Sequence, residues 1–200
     1  MLMSDEEKKD EKQEGWSTKL LETRQVFLTG SVNTKSATKV IQELLTLEAD
    51  DGESEITLWV NSPGGSVNDG FAIFDTIRFL TCPVRIIASG LCASIATIVL
   101  IAADKDRRFC TPNTRLLIHQ PLIPMEVYGP ASDLEITASE ILKTREKINE
   151  MLAEACGHPT EKLQEDTQRD YWMTAELAKA YGLVTHIVST RQEADALSSS

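Results

Sequence analysis

Residues 55–100 read EITLWVNSPGGSVNDGFAIFDTIRFLTCPVRIIASGLCASIATIVL, and their pattern decides the fold class. Glu55 to Val60 is a β-branched and aromatic run, the mark of a strand. Asn61-Ser62-Pro63-Gly64-Gly65-Ser66 interrupts it, after which Val67, Phe71, Phe74, Ile77 and Leu80 recur at helical spacing. Pro83 ends that helix, and Val84 to Ala88 returns to a strand. Gly90-Leu91-Cys92-Ala93-Ser94 then leads into an apolar helix expected over Ser94 to Ala103. Strand, helix, strand and helix in succession require parallel neighbours, because a tight turn joins only antiparallel ones.

The alternation continues outward from this stretch. Gln25 to Thr29 reads as a strand, and Val40, Ile41, Leu44, Leu45 and Leu47 as the helix before Glu55. Arg115 to His119 is a further strand. Ser132, with Glu135 three residues on, reads as a capping box opening a helix that Gly157 closes after Cys156. Its stripe of Leu134, Ile141, Leu142, Ile148 and Leu152 packs on its own domain or on another copy of the chain. A helix from Thr174 to Tyr181 ends at Gly182, and Val184 to Val188 reads as a last strand. The expected class is α/β, a mostly parallel sheet built of repeated βαβ units.

With 200 residues, 42% of them apolar, the chain suits a single domain with its own core. Met1 to Gly15 is charged and almost free of apolar residues, so residues 1–15 are expected to be a disordered acidic extension. The domain is expected over residues 16–190, with 191–200 as a flexible tail. A net charge of -11 without any basic run excludes nucleic acid as a partner. Ile86 to Ala103 lacks charge over a membrane-spanning length, but Gly90 is read as dividing it into a buried strand and a buried helix, not a membrane segment. Cys82, Cys92, Cys110 and Cys156 form no Cys-x-x-Cys pair and the N-terminus carries no basic signal, which points to reduced thiols in a cytoplasmic protein. No two histidines have metal-binding spacing, and no metal or organic cofactor is expected.

Two strand-to-helix junctions could carry chemistry. Asn61 to Ser66 lies where α/β proteins place ligands, and its adjacent glycines leave N–H groups uncovered. Lacking a Gly-Lys-[Ser/Thr] ending and Gly-x-Gly-x-x-Gly spacing, it is no phosphate loop, so it is an oxyanion site or a chain-reversing turn. Ser94 begins the second helix as either a nucleophile near its orphan N–H groups or a plain N-cap. Cys92 is a competing nucleophile with nothing nearby to activate it. His119 ends a strand and emerges at the sheet's edge, whereas His158 and His186 read as surface or packing residues. Asp166 and Asp170, four residues apart, precede the last helix in what reads alone as a solvated turn. A Ser, a His and an Asp at element ends permit acyl transfer by a triad.

Taken together, Asn61 to Ser66, Gly90 to Ser94, Leu117 to Pro121 and Asp166 to Asp170 resemble the motifs of the Clp protease proteolytic subunit (ClpP) family, in unbroken order between Trp16 and Val188. The resemblance implies a cofactor-free serine endopeptidase of crotonase-like fold that degrades unfolded polypeptides. It also implies two stacked heptameric rings, a homo- or hetero-tetradecamer, fed by an AAA+ Clp ATPase of the ClpX, ClpA or ClpC type. Carried over by motif, Ser94 is the nucleophile, His119 the general base and Asp170 the residue orienting it, Asp170 being taken over Asp166 because the family's motif places the acid last. The N–H groups of Gly65 and Ile95 would hold the oxyanion, where a side chain at Gly65 would crowd the intermediate. Gly64, Ser66, Val67 and Pro121 would border the substrate strand, and Trp59, Ile87 and Phe109 would line an ATPase-docking pocket. Arg169 would make a ring contact, and the long helix would be the family's handle.

Four departures qualify this picture. Residues 1–15 are charged where the family has an apolar pore loop, and Leu122 to Pro130 is bulkier than its glycine-rich segment. Thr57, Ser89 and Thr111 make the docking pocket more polar, and Gln168 replaces an acidic residue. These point to the divergent member of a two-paralogue system working in a mixed assembly. Two other readings are a catalytically weak structural ring subunit, against which the retained Ser94, His119 and Asp170 argue, and a crotonase-fold acyl-CoA enzyme, which has different catalytic residues.

Overall fold

The computed structural model describes residues 19–122 and 130–198. Seven strands form one sheet: β1 (Gln25–Thr29), β2 (Ile56–Ser62), β3 (Val84–Ala93), β4 (Arg108–Cys110), β5 (Arg115–Ile118), β6 (Tyr171–Met173) and β7 (His186–Ile187). The path runs β1-β2-β3-β4-β7, with β5 beside β3 and β6 beside β5. Every pairing is parallel except that of β5 with β6.

The crossovers are helical because their sequences offer one apolar face and a cap. Helix α1 (Thr34–Asp50) opens with a reciprocal cap, the Ser36 N–H donating to Asn33 Oδ1 and the Asn33 N–H to Ser36 Oγ. It buries Ala37, Val40, Leu44 and Leu47, one stripe along its axis. Helix α2 (Val67–Phe79), capped by Ser66, buries Gly70, Ile73 and Ile77, and the short α3 (Ile95–Leu100) is buried on every side.

Strand β3 runs through Gly90, the residue expected to end it, and breaks at Ser94 instead. Residues 86–88 pair with β4 and residues 91–93 with β5, so Gly90, at φ +77, marks a change of partner. On the β2 side, where the register shifts from Val60↔Ala88 to Ser62↔Cys92, Asn61 Oδ1 accepts from the Leu91 N–H at 3.2 Å. The two halves of β3 thus serve different neighbours, and the second half delivers Ser94 to β5.

Helix α4 (Ala131–Cys156) has 26 residues, about 39 Å of length at 1.5 Å per residue. Its buried residues, Ile148, Asn149, Leu152, Ala153 and Cys156, lie at the C-terminal end, while Leu134, Ile136 and Leu142 are exposed. It is therefore a protruding handle rooted at one end. The capping box expected at Ser132 does not form. Pro130 takes the N-cap, its φ of -55 already suited to helix entry, and Ser132 falls inside the first turn. Gly157, at φ +75, closes the helix as expected.

Among the elements that escape the sequence pattern are α5 (Thr160–Asp166), β4, β6 and the last helix. Three-residue strands are too short to show a period. Helix α6 (Ala175–Tyr181) is capped by Thr174 and ended by Gly182. Where a flexible tail is expected from residue 191, the structure has helix α7 (Arg191–Ser198). It docks because Ala194 buries against Ile87, Phe109 and Val188 while Asp195 Oδ1 pairs with Arg85 Nη1 at 3.1 Å. Residues 1–15 lie outside the described residues. Among the described residues no helix is long and apolar enough to cross a membrane, and Ile86 to Ala103 is shared between β3 and α3.

Candidate active site

Ser94 stands at the corner between β3 and α3 with φ +56 and ψ -129, a conformation that costs about 1–3 kcal/mol for a non-glycine residue. The surroundings enforce it. Its N–H donates to Leu117 O at 2.9 Å, extending the β3–β5 ladder, and its own carbonyl accepts from the Thr97 N–H and hydroxyl. The hydroxyl of Ser94 caps nothing, so the N-cap reading fails. Instead it lies 2.8 Å from His119 Nε2.

His119 follows β5 directly, and the antiparallel register Ile118↔Tyr171 brings Asp170 beside it one residue further on. His119 Nδ1 is 3.2 Å from Asp170 Oδ1. The Gln120 N–H donates to Thr167 O at 2.8 Å and Gln120 Nε2 to Gln168 O at 3.1 Å, tying the two loops together. Asp166 is occupied elsewhere, accepting from Lys162 Nζ at 2.7 Å and the Tyr181 hydroxyl at 2.6 Å. Burial pushes its carboxyl up, but these two donors outweigh it and hold the group below its ordinary range. The structure thus brings Ser94, His119 and Asp170 together and sets Asp166 apart.

The glycine loop packs against this corner. At Gly64, φ +89, an added Cβ would stand 2.7 Å from Ser94 Cβ, 2.7 Å from Ala93 O and 3.2 Å from Ile95 N. At Gly65, φ +151, it would overlap Val32 O, because the Val32 N–H donates to Gly64 O and the Ser66 N–H to Val32 O on either side. The crowding expected at Gly65 therefore comes from Val32, and Gly64 is the residue pressed against Ser94. Among the described residues, nothing accepts from the N–H of Gly65 or of Ile95.

Val67 and Pro121 line a small apolar hollow next to Ser94 and His119, with Ile98, Ile148 and Leu152. Gly64 and Ser66 do not line it, and their backbone groups are engaged: the Gly64 N–H by Ser62 Oγ, the Ser66 carbonyl by the Gly70 N–H. Cys92 is fully buried and its thiol is pushed up by desolvation, which removes it as a rival nucleophile. His158 bonds Tyr181 O and packs at a tilt against the Tyr181 ring, and His186 packs at a tilt against Phe109. Both are packing residues.

The Clp protease family model matches residues 8–191 of the chain. The sequence is also 43% identical over 196 residues to the ATP-dependent Clp protease proteolytic subunit 3 of Rhizobium etli, covering 96% of this chain and 100% of that protein. The chain belongs to the Clp protease family. It is accordingly a peptidase with the crotonase-like fold of that family, and membership implies a ring assembly served by Clp ATPases.

Of the residues expected in a docking pocket of this Clp protease family member, Trp59 and Ile87 line a surface cavity with Thr57, Arg85, Thr111 and Ala194. Phe109 does not, being wholly buried beneath it. Helix α7 forms one wall, a contribution that neither periodicity nor motif reveals. Arg169 is exposed and, among the described residues, enters no ion pair. Among the described residues no cluster of His, Cys, Asp and Glu could hold a metal ion.

Proposed function

We propose that this Clp family peptidase is a serine endopeptidase acting on unfolded polypeptides by acyl transfer through Ser94, His119 and Asp170. One observation carries the reading: an unbroken hydrogen-bond chain from Asp170 through both nitrogens of His119 to a serine held at a strained corner. His119 Nδ1–H donates to Asp170, which leaves Nε2 to accept the Ser94 proton. As Ser94 Oγ bonds to the scissile carbonyl carbon, that proton passes to Nε2, and the oxyanion accepts from the N–H groups of Gly65 and Ile95. The C–N bond then breaks, with the Nε2 proton going to the leaving amine. A water, deprotonated by His119 in turn, hydrolyses the acyl-serine and restores the site.

The R. etli relative is named ATP-dependent, and this chain has no Gly-x-x-x-x-Gly-Lys-[Ser/Thr] loop, so a partner Clp ATPase of the ClpX, ClpA or ClpC type supplies the unfolding. Helix α4, bare along most of its length, interleaves two heptameric rings of a tetradecamer in the cytoplasm. Residues 16–190 with α7 form the protease domain. The polar Thr57 and Thr111 at the cavity beside Trp59 fit a mixed assembly in which a second paralogue carries the main docking ring.

The test is hydrolysis of a panel of fluorogenic peptides by the purified protein and by Ser94→Ala. Cleavage abolished by the substitution is expected. Turnover of acyl-CoA esters that survives Ser94→Ala would point to the crotonase enzymes instead, and silence with every peptide, alone or mixed with a paralogue, would leave a structural ring subunit.

A further inference from the structure

We infer that Asn149 and Thr167 form a buried positioning pair that holds the loops carrying His119 and Asp170 in register, with the Asn149 amide as the donor. The inference rests on the peptidase reading of the site. Thr167 is fully buried at the end of α5, and Asn149 is buried at the root of α4. Thr167 Oγ1 lies 2.9 Å from the Asn149 side-chain amide at Oδ1 and 2.7 Å from Leu163 O. A hydroxyl has one hydrogen and can donate to only one of them. Leu163 O can only accept, and it is the nearer, so the amide must present a donor. The two ends of an asparagine amide have the same outline. With its NH₂ end toward Thr167, Asn149 donates to Thr167 Oγ1 and Thr167 donates to Leu163 O. The same turn removes a buried Nδ2 that has no partner among the described residues and puts in its place an oxygen, the more tolerable orphan.

The pair acts on the site through Gln120. Thr167 O accepts from the Gln120 N–H, and the neighbouring Gln168 O accepts from Gln120 Nε2. Gln120 adjoins His119, and Asp170 lies three residues beyond Thr167. The β5–β6 ladder ends at Ile118↔Tyr171, so it does not reach the His119–Asp170 contact itself. The Asp170 side chain is 63% exposed, and burial does not hold it in place either. What remains is the anchored segment of Thr167 and Gln168, whose position Asn149 sets. Neither Asn149 nor Thr167 touches the reacting atoms.

The experiment compares Thr167→Val, Thr167→Ser, Asn149→Leu and the Thr167→Val/Asn149→Leu double variant with the wild type and Ser94→Ala in peptide hydrolysis. Thr167→Val is expected to lower kcat about tenfold with KM within about twofold, as a misaligned catalytic group does. Thr167→Ser restores kcat, and the double variant falls no further than Thr167→Val, because that substitution already removes the bond through which Asn149 acts. An unchanged kcat in Thr167→Val, equal impairment in Thr167→Ser, or additive losses would overturn the proposal. Should Asn149→Leu fail to fold, the Val and Ser variants decide alone. A wild type without Ser94-dependent hydrolysis would remove the peptidase reading but not the pair. Crystals of Thr167→Val then give the answer: a His119 Nδ1–Asp170 Oδ1 separation beyond about 3.5 Å supports it, and an unchanged separation refutes it.

Discussion

Gly64→Ala adds one methyl group where the glycine loop meets the Ser94 corner. Built on the existing backbone, that Cβ stands 2.7 Å from both Ala93 O and Ser94 Cβ, about 0.7 Å inside ordinary contact at 3.4 Å. Neither neighbour recedes easily, because Ala93 pairs with Leu117 in the ladder and the Ser94 N–H is bonded to Leu117 O. The backbone at φ +89 costs an alanine about 1–2 kcal/mol, and the overlap adds about 1–3 kcal/mol, for a loss of about 2–5 kcal/mol. Much of the relief must come from moving the corner. A shift approaching 1 Å at a reacting group costs about 10²-fold, so kcat is expected to fall about 10- to 100-fold. Gly30→Ala and Gly157→Ala are the controls, at φ +76 and +75 with nothing within 4 Å of the added Cβ. They carry the backbone strain alone and should leave kcat unchanged. Thermal unfolding at fixed protein concentration and peptide hydrolysis, run on all three, measure the two effects. A Gly64→Ala protein that matches the controls in both would refute the reasoning.

Asp170→Asn is expected to lower kcat by about 10³–10⁴-fold, since an amide no longer enforces the tautomer that leaves Nε2 free. Asp166→Asn should keep kcat and lower the melting temperature, because it weakens the contacts to Lys162 and Tyr181; the reverse pattern in steady-state kinetics would exchange their roles. Asp51 is held at about 2, against an ordinary 3.8, chiefly by the Ser54 hydroxyl and then by the N–H groups of Glu53 and Ser54. It binds a proton less readily folded than unfolded, so its contribution is complete above 3.8 and lost as pH falls toward about 2. The melting-temperature deficit of Asp51→Ala should accordingly shrink between pH 7 and pH 2, and a constant deficit would count against that role. Cys110 and Cys156 are pushed up to about 12 by burial, and Cys92 is pushed up as well, so thiol reagents at pH 8 should label these three only after denaturation. Ala194→Glu would set a charge against Ile87, Phe109 and Val188, and faster tryptic cleavage at Arg191 would report the release of α7.

The parallel α/β class was legible in residues 55–100 because helical and strand periods are local properties, and β2, α2 and β3 bury their own faces there. The glycine loop and Ser94 were legible for the same reason, since each is a break between two periodic runs. Gly90 misled because a glycine at positive φ can equally mark a strand that changes neighbours, and that is a statement about β4 and β5. The capping box at Ser132 failed to a proline two residues earlier, a competition that pattern alone does not rank.

The amino-acid sequence by itself determined most of the element types, the place of the glycine loop, and the short set of residues able to do acyl transfer. The tertiary structure decided which of them meet. Asp170 rather than Asp166 adjoins His119, 51 residues away in the chain, because the antiparallel β5–β6 pairing ends one residue short of both, and β6 is too short to announce itself. Gly64 rather than Gly65 presses on Ser94 because Val32 arrives from before α1 to occupy the other side. The last helix lies on Ile87 and Phe109 only because a buried alanine and an ion pair to Arg85 bring residues more than eighty positions apart into contact. Periodicity records how each segment is wetted; it carries no record of which distant segment does the covering.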